Sequence, residues 1–193
     1  QRWGIDNVGL FGYVNSSGSI ANVSLIDADV SGADAVGTLV GNNYGTVNNS
    51  YASGQVTGSQ TLGGLVGRSA GYEGGWINNS HAAVDVSGSA CNIGGLVGWS
   101  DGPVSNSSAT GNASGHCDIG GLVGGNANAN VINCSYATGS ASGTGDSIAG
   151  LLRYNENGTV ANSYAMGNVS GNNSVGGLVG RNNNYINNSY STG

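Results

Sequence analysis

Two short words alternate along this 193-residue chain, and their spacing constrains the fold more than any other feature. The first word reads apolar, Gly, Gly, Leu, Val, Gly. It stands as L-G-G-L-V-G at Leu62 to Gly67, as I-G-G-L-V-G at Ile93 to Gly98 and again from Ile119 to Gly124. Looser copies lie at Val8 to Gly12, Val36 to Gly41, Ile148 to Arg153 and Val175 to Gly180. The last position of the word falls at residues 12, 41, 67, 98, 124, 153 and 180, so the mean spacing is 28 residues, with a range of 26 to 31. The second word follows the first, as V-N-N-S-Y-A-S-G-Q-V-T-G from Val47 to Gly58 and V-A-N-S-Y-A-M-G-N-V-S-G from Val160 to Gly171. A period in this range marks one supersecondary unit that cannot bury its apolar face without a neighbour. Length variation is confined between the words, as expected of loops outside a coil.

Helix is the wrong element for such a unit. Glycine costs about 1 kcal/mol against alanine in a helix interior, asparagine and serine are weak formers, and no apolar pattern of period 3.6 is present. Short Val- and Ile-rich segments bounded by Gly and Asn read as strands between tight turns. Three short strands per unit predict one coil of a parallel β-solenoid, a β-helix of about seven coils, all-β throughout. Stacked in register about 4.8 Å apart, the coils would make a rod about 34 Å long.

Composition agrees once it is placed on this period. Gly, Asn and Ser supply 91 of the 193 residues, and glycine alone 38. The expectation is that glycine provides positive φ at coil corners, with asparagine tolerating the same region and forming ladders between coils. The net charge is −6, with four arginines and no lysine. Nucleic acid is excluded as a partner, because phosphate neutralisation needs clustered cations. Anionic membrane surfaces are excluded on the same ground. No apolar run approaches the roughly 18 residues of a spanning helix, and the chain opens at Gln1, as a processed product or excised fragment would.

Cysteine positions give the sharpest local signal. Cys91 lies seven residues before Gly98 and Cys117 seven before Gly124, so they occupy one place in consecutive coils. In register their Cα atoms would be about 5 Å apart, within disulfide range. A bridge, implying an oxidising compartment, is the expectation; the alternative is a pair of reduced, stacked small residues. His116 adjoins Cys117, but zinc would need a C-x-x-C pair, so no metal and no cofactor is expected. Cys134 takes the place of the second Asn in the N-N-S-Y word.

Eleven sequons occur, at Asn15, Asn22, Asn48, Asn78, Asn106, Asn112, Asn133, Asn157, Asn168, Asn172 and Asn187. Each is a glycan acceptor or an internal ladder residue. Two columns of larger side chains follow from the register. The residue after the first word gives Tyr13, Asn42, Arg68, Trp99, Gly125, Tyr154 and Arg181. The second word gives Tyr51, His81, Ser108, Tyr136, Tyr164 and Tyr190. Tyr13, Arg68, Trp99, Tyr154 and Arg181 form a candidate strip for a ligand or lateral contact, with a cation–π contact expected between Arg68 and Trp99. The competing reading is that such ladders stabilise neighbouring coils. Catalytic residues are not expected: the carboxylates are scattered over different coils, and Asp27 and Asp29 read as a solvated strand edge. In the sixth copy Ala149, Leu152 and Arg153 break the first word, which marks a bulge or a local contact.

The alternating words G-G-L-V-G and N-S-Y-A-x-G-x-V-S-G resemble the GLUG-motif repeats of bacterial and archaeal cell-surface proteins, over essentially the whole chain. The resemblance implies a right-handed parallel β-helix serving as a stalk or display surface in adhesins and immunoglobulin-A-peptidase-like proteins. The zinc-peptidase motif H-E-x-x-H of such proteins is missing, the two histidines being His81 and His116, so that activity does not carry over.

No polar caps are evident in residues 1–193, which read as one solenoid domain. The 12 residues through Gly12 and the 13 after Gly180 would together close a coil of 25. The expected function is therefore a non-catalytic, extracellular or cell-surface rod that stacks end to end into a fibre or extends a stalk. A carbohydrate-binding adhesion module using the Tyr, Trp and Arg ladders on glycans or a host surface is the alternative. An ice-binding face would need a flat threonine ladder, and the threonines are scattered.

Overall fold

The computed structural model describes residues 4–71, 75–126 and 131–193, and these form an all-β parallel solenoid. Corresponding strands of successive coils pair in register, Val40 with Val66, Val66 with Val97 and Val97 with Val123. The repeat of the sequence is thus the repeat of the stack.

The strands build four parallel sheets where three strands per coil were expected. One coil runs through Gln60–Gly63, Val66–Ser69, Trp76–Asn78 and His81–Gly88 before the next begins at Cys91–Gly94. The extra break lies inside the first word, at Gly64 and Leu65. The backbone turns a corner there, and its amides are still satisfied: Leu65 N–H and Val66 N–H both donate to the Leu96 carbonyl, at 3.0 and 3.1 Å. The same two-to-one arrangement joins Leu96 and Val97 to the Leu122 carbonyl, and Leu122 and Val123 to that of Leu151. One carbonyl can take two donors because it has two lone pairs.

Apolar residues at equivalent positions stack into columns that run the length of the core. Val36, Leu62, Ile93, Ile119 and Ile148 form one, and Leu39, Leu65, Leu96, Leu122 and Leu151 another, all fully buried. Val47, Ile77, Val104, Ile132 and Val160 face them from the third sheet, and Ala52, Ala82, Ala109, Ala137 and Ala165 from the fourth. Burial of each large aliphatic side chain contributes about 1.5–3 kcal/mol. The small alanines keep the fourth sheet close to the glycines of the first word, which is why the coil is narrow.

Positive φ is carried by residues other than those expected. Among the described residues it occurs at only four glycines, Gly4, Gly54, Gly71 and Gly75. Two series of non-glycine residues carry it instead, one per coil. Asn22, Asn49, Asn79, Asn106, Cys134, Asn162 and Asn188 form the corner of the second word, with φ of 46–58°. Asn7, Ala35, Thr61, Asn92, Asp118, Ser147 and Ser174 precede the first word. Glycine is needed for a different reason, close approach of backbone to backbone. At Gly139 a Cβ would collide with the carbonyl of Gly111, one coil below.

Corner asparagines bond to each other as expected, Asn79 Nδ2 donating to Asn49 Oδ1 at 2.6 Å and Asn188 Nδ2 to Asn162 Oδ1 at 3.3 Å, whereas Asn162 Nδ2 reaches Asn133, beside the Cys134 corner, at 2.9 Å. A second ladder, of buried serines, lies just inside them. Ser50, Ser80, Ser107, Ser135 and Ser163 each donate their hydroxyl to the carbonyl two residues earlier, at 2.7–2.9 Å. Each hydroxyl oxygen also accepts a backbone N–H from the preceding coil, Ser80 N–H to Ser107 Oγ at 3.1 Å and Ser107 N–H to Ser135 Oγ at 3.2 Å. Replacing Ser107 by alanine leaves the Ser80 N–H unpaired in the interior and removes one of the two donors to the Ser105 carbonyl, the other being Asn79 N–H at 3.0 Å. The expected loss is about 2 kcal/mol, read as a lower urea midpoint; an unchanged midpoint would show that the ladder carries no net stability.

Candidate functional site: the outward side-chain columns

Side chains that leave the coil point outward from the sheets, so any surface chemistry is arranged in columns set by the register. Cys91 pairs with Cys117 across adjacent strands, their Cα atoms are 4.6 Å apart, and the two form a disulfide. Asp118 lies with the two sulfurs in one tight cluster, but both thiols are consumed in the bridge. Asp118 instead meets Arg153, whose Nε is 3.4 Å from its carboxylate and also donates to the Gly124 carbonyl at 3.4 Å. Arg153, which replaces the glycine of the sixth copy, thus reaches back to fasten its coil to the one before. His116 is exposed, with Nδ1 2.9 Å from Thr144 Oγ1. Cys134 is an exposed free thiol at a left-handed corner.

The first outward column has the expected register, Tyr13 beside Asn42, Asn42 beside Arg68, Arg68 beside Trp99, and Tyr154 beside Arg181. Its contacts differ from those expected. Arg68 and Trp99 do not form the cation–π pair, because Gly125 on the other side of Trp99 has no side chain and the indole lies over it. Trp99 Nε1 donates to Asp101 Oδ1 at 3.0 Å and fixes that orientation. The cation–π contacts fall instead on Tyr154, with the Arg181 and Arg153 guanidinium carbons 5.2 and 5.5 Å from its ring centre. Tyr13 contacts Tyr44, ring centres 5.3 Å apart. The strip is therefore three separate groups. Between them Asp6, Asp34, Asn42, Thr61, Arg68 and Trp99 line a groove of about 290 Å³. Asn42 Oδ1 is buried beside it without a hydrogen-bond partner.

The second column runs in register through Tyr51, His81, Ser108, Tyr136, Tyr164 and Tyr190. Tyr136 and Tyr164 are stacked with ring centres 4.9 Å apart and planes 1° from parallel, and Tyr164 and Tyr190 are stacked at 5.2 Å and 8°. Burial in the stack, followed by the fields of Tyr136 and Tyr190, raises the pKa of the Tyr164 phenol above the ordinary tyrosine value.

Sequons divide into two sets. The hydroxyl residues following Asn48, Asn78 and Asn133 are Ser50, Ser80 and Ser135, buried members of the serine ladder, and Ser108, which follows Asn106, is buried too. Ser189, after Asn187, donates to the Asn187 carbonyl at 2.7 Å. Asn15, Asn22, Asn112, Asn157, Asn168 and Asn172 are exposed. Asn112 bonds its neighbours, donating to Asp85 Oδ1 at 3.2 Å and accepting from Ser140 N–H at 3.0 Å. Asp27 and Asp29 are exposed on the edge strand, with Asp27 in a bulge. The serine ladder was missed by sequence reasoning although its signal, one serine per word from Ser50 onward, is present.

No family model and no solved structure matches the chain. Over 67 residues it is 43% identical to halomucin of Haloquadratum walsbyi, a match covering 35% of this chain and 1% of that protein. Over 81 residues it is 40% identical to a protein of Evansella cellulosilytica described as a Gly-rich membrane protein, covering 38% of this chain and 9% of that one. The chain thus spans a small fraction of these curated relatives.

Proposed function

We propose that this chain is a non-catalytic structural segment of a cell-surface or extracellular rod, of the GLUG-motif kind, in which copies stack end to end. The observation that carries the reading is the uncovered state of the core columns at both ends of the described solenoid. Leu10 and Phe11 are 57% and 41% exposed at one end, and Val175 and Ile186 are 41% and 37% exposed at the other. Their counterparts inside the rod are buried, and the strand edges beside them lack partners on their outer side. Apolar surface and open edges of this kind are a template for another coil, whether of the same chain or of another copy. The disulfide fits an oxidising compartment, and the names of the two similar proteins fit a surface setting. Among the described residues no helix is long and apolar enough to cross a membrane.

Electron microscopy of the purified chain tests this. Filaments of coil width are expected, and their formation should fall when Ile186 is replaced by aspartate. Particles that stay at the length of one solenoid at all concentrations would remove the end-to-end reading.

A second reading, a carbohydrate-binding surface, is favoured by the groove at Arg68 and Trp99, which combines an aromatic wall, a guanidinium and the unpartnered Asn42 oxygen. Glycan-array binding that is lost in Trp99→Ala would support it, and an array negative at high protein concentration would count against it.

A further inference from the structure

Arginine is scarce on this rod, and one guanidinium is left unused. Among the described residues Arg153 meets Asp118 and Tyr154, and Arg181 meets Tyr154, whereas Arg68 has neither an ion pair nor a ring contact. Arg68 is exposed. Asp6 is exposed too, and among the described residues its carboxylate has no cationic partner. Both charges line the groove of about 290 Å³ that Trp99 borders, a volume at the lower end of ligand clefts.

The two charges stand at different places along that groove. Asn7 N–H donates to the Asp34 carbonyl, which sets the first coil against the second there, and Asp34 pairs with Gln60 in the coil that carries Arg68. Asp6 and Arg68 are therefore two coil steps apart along the rod, about 9.6 Å, too far to neutralise each other. Asp34, one step from Asp6, strengthens the acidic end. Its carboxylate is held in place by the Ala35 N–H at 2.7 Å and by Gln60 Nε2 at 3.0 Å. Trp99 stands beyond Arg68 in the next coil, with Gly125 under one side of the indole and the groove on the other.

Such a groove discriminates by charge pattern. A ligand with one charge meets its like at one end, a neutral ligand leaves both groups unused, and a ligand with two opposite charges spaced along it matches both ends. A carboxylate suits the planar fork of Arg68, and an ammonium suits the acidic end.

We propose that the groove binds a zwitterionic disaccharide, a uronic acid whose carboxylate meets Arg68 beside the Trp99 wall, linked to an amino sugar whose ammonium meets Asp6. The proposal rests on the carbohydrate reading of this groove and narrows it to one class of sugar. It does not depend on end-to-end stacking.

Four matched disaccharides test it: glucuronosyl-glucosamine, which carries both charges, glucuronosyl-N-acetylglucosamine and glucosyl-glucosamine, which carry one each, and neutral glucosyl-N-acetylglucosamine. Each is titrated into the protein and followed at the Trp99 indole N–H signal by NMR. The doubly charged sugar is expected to bind about tenfold or more tighter than either singly charged one, as a charge-assisted hydrogen bond would give. Arg68→Gln should abolish the preference for the uronate and keep that for the amine, and Asp6→Asn should do the reverse, both with unchanged far-UV circular dichroism. Equal binding of the neutral and doubly charged sugars would overturn the proposal while leaving the carbohydrate reading intact. So would a preference for one charge alone, or preferences that survive both substitutions. Absence of binding by all four sugars would overturn the carbohydrate reading along with it.

Discussion

Removing the Cys91–Cys117 bridge by a double serine substitution is expected to lower stability by about 3.5 kcal/mol. The estimate follows from the 26-residue separation of the two cysteines, since the bridge closes a loop of one coil in the unfolded chain. The bridge has a second effect specific to a solenoid. It ties one coil covalently to the next at a place where the coil interface is already made, and nearest-neighbour contacts are the whole source of a repeat protein's stability. Loss of the bridge should therefore loosen the stack locally. Amide exchange should rise first in Cys91–Gly94 and Cys117–Gly120 and least in the terminal coils. Equilibrium urea unfolding of the double variant checks the magnitude, and a loss below about 1 kcal/mol would show that the unfolded chain is already restrained there.

Replacing Gly139 by alanine is expected to cost about 3 kcal/mol, at the upper end for overpacking. Gly111, Gly139 and Gly167 form a column, and a Cβ on either of the last two would strike the carbonyl of the glycine one coil below. The coil cannot shift to relieve the collision. Ala109 pairs with Ala137 just before the column, and Ala113 with Ala141 just after it, so both flanks are pinned. One coil earlier the same place is held by Val84, but there the strand His81–Gly88 runs unbroken. From the next coil onward it is split into Ser108–Ala109 and Ala113–Gly115, and the intervening chain needs a residue without a side chain. Gly115→Ala is the control, because its Cβ would meet nothing nearer than 3.0 Å. Thermal unfolding should separate the two variants by several degrees; equal shifts would mean that the rod relaxes around the extra carbon.

The coil period, the parallel register and the cysteine pairing were legible because each depends only on counting between like residues. Ile93 and Ile119 fall opposite each other for the same reason as Cys91 and Cys117. What was not legible depends on directions that counting does not give. The role assigned to glycine was wrong in kind: a φ preference is a property of one residue, whereas the collision at Gly139 belongs to a carbonyl 28 positions away. The Arg68–Trp99 contact failed because an indole beside a glycine has room on one side only. The serine ladder went unnoticed because serine beside asparagine reads as a turn or a sequon. Only the stack reveals that its hydroxyl links two coils.

That ladder also gives the rod a polarity. Each serine N–H donates toward the later coil, so the chain of bonds runs one way and the two end faces are not alike. Joined copies would meet head to tail in an interface that does not close on itself, the geometry that propagates a filament. The joint would differ from every internal step in one respect. The first coil has Val23 where the others have serine, and Val23 donates to Ser50 without offering an oxygen in return. A serine N–H of any coil stacked before it, of the same chain or of another copy, would face that valine, leaving that step one hydroxyl short. Under load or denaturant, a longer stack would part first at that step.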